Sequence, residues 1–185
     1  GMSQHCWPAV AAALDSDNEA LMGLMIDALR AYAVPKSAES LWYVSASQKY
    51  STALREHAAN TLAYLTGKHR DHLGSPVKAL GDIADSYYTK QAGLGRTSET
   101  ERIWMWNGSN VTSVTEPIDV AEEYYCMHAA RQALDLDPTY EPAKVTLLSL
   151  AFEKSIGRVG VENPLPHKKN GVLETTLSAG PELIG

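Results

Sequence analysis

The sequence predicts a mainly α fold: an antiparallel helical stack with one small β-hairpin inserted around Asn107-Gly108. Three observations predict it. Apolar residues recur at helical spacing in stripe after stripe along the chain. Pro, Gly, Ser, Asp and Asn punctuate those stripes where helix ends belong. The period changes once, to alternation, on either side of Asn107-Gly108-Ser109-Asn110. Roughly five or six amphipathic helices joined by short turns describe an antiparallel stack.

Trp7-Pro8 opens a short helical run, with Pro at a position the first turn tolerates. Ser16-Asp17-Asn18-Glu19 matches a capping box, with Ser16 as cap and Glu19 reaching back to its amide. The helix it starts carries Leu21, Leu24, Met25, Ala28, Leu29 and Tyr32 on one stripe, and Val34-Pro35 ends it. Ser37 begins a second helical zone, which either runs on or breaks at the serines. Its stripe continues through Tyr50, Leu54, Ala58, Leu62 and Leu65 to Gly67, a C′ glycine. Ser75-Pro76 reads as cap and first residue of another helix, with Val77, Leu80, Ile83, Ala84 and Tyr87 facing inward.

The stretch 93–101 is a linker by composition. Runs 102–106 and 111–115 are β-rich, and Asn-Gly between them signals a hairpin because both residues accept positive φ. Asn107-Gly-Ser and Asn110-Val-Thr also match a glycosylation acceptor, but their overlap with a tight turn reads as turn chemistry. Asp119 to Glu122 gives a second capping-box start, for a helix running to about Leu136. Pro138 stops it, and Pro142 restarts a helix to about Ser155. From Gly157 a Gly/Pro-rich crossing segment is expected, then a short element at VLETTLS.

At 185 residues the chain fits one domain, or one with a small appendage, and needs no metal or disulfide to bury a core. A net charge of −6, with no basic block beyond Lys168-Lys169, excludes the footprint of a nucleic-acid binder. No stretch approaches the roughly 20 apolar residues of a membrane span. Cys6 and Cys126 read as free buried thiols, although a pair between them is left open. Gly1-Met2 reads as an expression remnant and AGPELIG as the start of a helix cut short, so a piece of a longer protein is expected.

Ala133-Leu134-x-Leu136-Asp137-Pro138 resembles the end of a tetratricopeptide repeat, where a small residue lets two helices approach and Pro turns the chain. Ala143 and Leu147 fall on that family's packing positions. Leu148, Ala151, Cys126 and Ala130 depart from its signature, so the match covers about one repeat. The N-terminal helices resemble HEAT or armadillo helices. The whole layout resembles a non-catalytic region of large bacterial HEAT-repeat proteins of unassigned function. The resemblance implies an α-α superhelix with a HEAT-like region over 3–92, a linker and hairpin over 93–116, a tetratricopeptide-like pair over 117–156 and an irregular segment over 157–185. It also implies scaffolding or partner binding. Tetratricopeptide carboxylate clamps use Lys and Asn where this chain has Val145 and Ser149, so such a clamp is not expected.

Candidate chemistry is sparse. His69-Arg70-Asp71-His72 is the densest set of metal-ligating types, but it lacks partners at zinc-like spacing and reads as a solvated helix end. Cys126 and His128 are two apart on a helix and diverge. His57 could reach Cys126 only through the tertiary fold. Thr66-Gly67-Lys68 lacks the rest of a phosphate loop, and Glu122-Glu123 suit the helix dipole. No cofactor, metal site or catalytic constellation is therefore expected. An aromatic cluster stands out: Trp42-Tyr43, Tyr87-Tyr88, Trp104, Trp106 and Tyr124-Tyr125. Trp104 and Trp106 share one strand face, which either packs on the helices or lies open. Val145 and Phe152 either pack in the core or line an apolar groove. The expected function is non-enzymatic protein–protein interaction or scaffolding, with Trp42, Trp104, Trp106, Val145 and Phe152 as candidate contacts for a protein partner. The alternative is a small-ligand or carbohydrate-binding domain that uses the aromatic hairpin.

Overall fold

The structure, a computed structural model, describes residues 6–94 and 99–159. Among these residues the chain forms seven α-helices and one two-stranded antiparallel sheet. The mainly α class with a single inserted hairpin is the architecture the periodicity predicts.

Helix α1 (Trp7–Ala12) opens with Pro8 in its first turn, and a 3-10 turn (Ala13–Asp15) leads from it toward α2 (Glu19–Tyr32). The expected capping box at Ser16 does not form. Asn18 is the cap, and its side chain accepts from the Leu21 amide at 3.1 Å. Glu19 instead accepts from the Ser51 amide at 2.8 Å and from the Ser51 hydroxyl. Those two bonds hold its carboxyl below the ordinary range. The spacing marks the right helix, but a donor pair 32 residues away wins the carboxylate.

A 3-10 turn (Pro35–Ser40) runs into α3 (Leu41–Ala46), the chain breaks at Ser47, and α4 (Thr52–Thr66) follows. The serines therefore interrupt this helical zone. Ser51 caps α4 by accepting from the Leu54 amide, and Gly67 ends it at φ 64°. Ser75 caps α5 (Pro76–Tyr88) by accepting from the Lys78 amide at 3.3 Å, with Pro76 at the first helical position.

Strands β1 (Thr100–Trp106) and β2 (Val111–Pro117) pair antiparallel, with Trp104 opposite Ser113 and Trp106 opposite Val111. The turn differs in one respect from the sequence expectation. Gly108 has positive φ (95°) but Asn107 does not. Asn107 works through its side chain, whose Oδ1 accepts from the Ser109 and Asn110 amides at 3.0 Å each.

Helix α6 (Ile118–Leu136) starts directly from β2. The expected Asp119 cap does not form, because Pro117 is already the cap residue, which leaves Asp119 in the first turn and Glu122 buried. Helix α7 (Glu141–Val159) is longer than predicted. The rest of the Gly/Pro segment, the VLETTLS element and residues 95–98 of the linker lie outside the described residues. At the α6–α7 joint, Asp137 Oδ1 accepts from the Thr139 amide at 2.9 Å and the Thr139 hydroxyl at 2.7 Å. These bonds fix the turn and lower the Asp137 carboxyl.

Two larger cores and a smaller cluster of Tyr87, Cys126 and Leu150 hold the helices together. The first joins α2, α3 and α4 through Met22, Ile26, Leu29, Leu41 and Leu62, all fully buried. The second joins α5, α6 and α7 through small side chains: Ala84, Ala129, Ala130, Ala133 and Ala143 around Leu80. Alanines let helix backbones approach closely. At Gly81 on α5 the Tyr140 ring packs against the backbone, where an added Cβ would lie 2.6 Å from it. Trp42 packs against both cores, and Tyr43 donates to Asp135 at 2.6 Å, linking α3 to α6. No helix among the described residues is long and apolar enough to cross a membrane.

Candidate functional site

A cavity of about 390 Å³ lies between α1, α3, α5, α6 and β1. Its aromatic wall starts from residues that share helical faces. Tyr87 lies on the inner face of α5, and Tyr124, Tyr125 and His128 follow one another on α6. Their rings form a continuous row. The Tyr87 and Tyr125 centroids are 5.3 Å apart, those of Tyr125 and Tyr124 are 5.3 Å apart, and Tyr124 stacks on His128 at 6.1 Å. Aromatic rings carry a negative face and a positive edge. Trp7 from α1, Tyr43 from α3 and Trp104 from β1 complete the aromatic lining.

The hairpin is anchored beside the cavity by the fully buried Ile103, which lies on the face of β1 opposite Trp104. This anchor holds β1 so that Glu101, Arg102 and Trp104 all reach the cavity. Burial, aided by Asp15, pushes the Tyr124 phenol up. Burial, aided by Glu101, pushes Tyr125 up to about 12. Both phenols are therefore neutral hydrogen-bonding groups at neutral pH.

Polar groups are few and specific. Lys36 pairs with Glu39 at 2.6 Å, and its ammonium lies 5.1 Å from the Tyr87 ring centre. The Arg102 guanidinium lies 5.8 Å from the Trp104 ring centre. His128 Nε2 is 2.9 Å from Gln132 Nε2 and 3.6 Å from Asp15 Oδ1.

The aromatic cluster read from the sequence divides in three dimensions. Tyr43, Tyr87, Trp104, Tyr124 and Tyr125 converge on the cavity, whereas Trp42 sits between the cores and Trp106 ends its strand away from the lining. The shared strand face of the two tryptophans thus has one member in the cavity wall. Trp7, Asp15, Lys36, Glu39 and Arg102 also belong to the site, although no sequence motif marks them. The one signal in the sequence is its set of paired Trp and Tyr residues, because the polar residues come from turns and a strand edge that periodicity does not weight. Val145 and Phe152 lie elsewhere, on α7. With Leu148 they form an exposed stripe, 58%, 49% and 39% accessible for Val145, Phe152 and Leu148 in turn, so the core alternative for these side chains does not hold among the described residues.

The remaining candidates stay apart from the cavity. Cys6 and Cys126 are both free thiols, so no disulfide joins them. Burial pushes the Cys126 thiol up to about 12, which keeps it in its weakly nucleophilic neutral form. His57 is engaged with Asp27 at 2.9 Å. His69 contacts Asp71 at 3.2 Å in an exposed turn, and Glu123 pairs with Lys154 at 2.6 Å across α6 and α7. Among the described residues no group of three or more His, Cys, Asp or Glu side chains is arranged to hold a metal ion.

Fold and site together define a mainly α chain with an aromatic cavity walled on one side by a β-hairpin. No family model matches the chain, and neither a curated protein nor a solved structure matches it.

Proposed function

We propose that the chain is a non-catalytic binding module that holds a small organic ligand in the aromatic cavity. The observation that carries this reading is the convergence of seven rings, from Trp7 to His128, on one space of about 390 Å³. That size lies within the roughly 300–1,000 Å³ of small-molecule sites, which pair apolar walls with a few placed polar groups. The test is a fragment screen by ligand-observed NMR, followed by titration of Trp104→Ala. The expected result is a set of aromatic-stacking ligands whose affinity falls by about tenfold or more in the variant, with little change in melting temperature. A variant that binds those ligands as well as the parent would remove the cavity from the proposal.

Partner docking on α7 is a second reading, favoured by the exposed Val145, Leu148 and Phe152 stripe. These residues sit at i, i+3 and i+7, the spacing of one helix face. A face kept open for a protein tolerates polarity: Phe152→Ser should change unfolding free energy by less than about 1 kcal/mol in the full chain. A loss of about 3–5 kcal/mol in urea denaturation would instead mean that the ring is packed within the chain and offers no docking surface.

A further inference from the structure

We propose that the cavity takes an organic cation, an alkylammonium or quaternary ammonium group, seated on the Tyr124 and Tyr125 rings with Asp15 as its counter-ion. This assignment rests on the ligand-binding reading above and names the class of ligand.

The wall has the chemistry of a cation seat. The row Tyr87–Tyr125–Tyr124 is unbroken, with 5.3 Å between successive centroids. Aromatic faces attract cations through the ring quadrupole, and the attraction grows where water is excluded. The cavity's own cations already behave this way: Lys36 lies over Tyr87 at 5.1 Å and Arg102 over Trp104 at 5.8 Å.

Charge favours the same class. The lining carries the carboxylates of Asp15, Glu39 and Glu101 against the cations Lys36 and Arg102. Lys36 is committed to Glu39 at 2.6 Å. Asp15 Oδ1 faces His128 Nε2 at 3.6 Å. The Gln132 amide contacts that same His128 nitrogen at 2.9 Å. At 3.6 Å Asp15 lies beyond hydrogen-bond reach of that nitrogen, whose nearer contact is Gln132. The Asp15 carboxylate at the Tyr124 end of the cavity therefore has no hydrogen bond from His128, and an ammonium group supplies a positive charge beside it. An anionic ligand would meet three carboxylates against two cations, one of them already paired with Glu39, and a neutral ligand would leave Asp15 as it is.

Choline and its uncharged isostere 3,3-dimethyl-1-butanol test the inference on the unmodified protein, by chemical-shift titration. Choline should bind about tenfold more tightly or better, the scale of a partly desolvated cation–π contact. Asp15→Asn, which preserves shape, should weaken choline by about tenfold and leave the alcohol unchanged. If the alcohol binds as well as choline, or if only neutral aromatic fragments bind and do so through Trp104, the cation assignment falls while the cavity reading stands. If choline, the alcohol and the fragments all fail to bind, both fall.

Discussion

Replacing Leu62 with alanine should cost about 2–5 kcal/mol of stability, seen as a lower urea midpoint with an unchanged slope. Leu62 is fully buried in α4, and its neighbours in the first core include Met22, Ile26, Leu29 and Leu41, each also at 0% exposure. Truncation removes the transfer free energy of the lost carbons. It also leaves a void, because α2 and α3 close on this residue from two sides and cannot both relax into it. A loss below about 1 kcal/mol would show that α2, α3 and α4 do not pack as described.

Ala133→Leu is expected to destabilise the chain through the opposite defect. Ala133 is fully buried among Leu80, Ala84, Ala129 and Ala143, where α5, α6 and α7 meet. Inserting larger side chains into a filled core typically costs about 1–3 kcal/mol, and more when backbones must separate. Here they must, because the neighbours are mostly methyl groups with no rotamer to yield. Ala31→Leu, on the exposed face of α2, is the matched control and should stay within about 0.5 kcal/mol of the parent. Equal melting temperatures for the two variants would contradict the close approach of α5, α6 and α7.

Much of the fold is legible in local chemistry. Ser75-Pro76, Gly67 and Pro138 each act through their own backbone or a neighbour within one turn, and each lies where local rules place it. Local rules fail where a side chain has a choice of partner. Glu19 bonds Ser51 rather than its own helix start, and Pro117 begins α6 ahead of Asp119. The cavity is legible only as a cluster of paired Trp and Tyr residues. Which of them converge depends on how α5 faces α6 and where Ile103 pins the hairpin, and both are properties of packing. Trp42 and Trp104 look alike in sequence, yet one fills the space between two cores and the other lines an opening.

Because Asp15 meets His128 in the cavity wall, that wall joins parts of the chain far apart in sequence and closes late. Helix pairs such as α3–α4 and α6–α7 join neighbours in the chain and close quickly, since short loops lose little entropy on closure. The two walls of the cavity come from positions 15 and 128 and meet only after the intervening helices have found their places. During synthesis from the N-terminus, the first wall emerges long before the second exists. This wall is therefore completed only when both ends of that span are in place, and a ligand held as proposed would report that residues 15 to 128 have folded together.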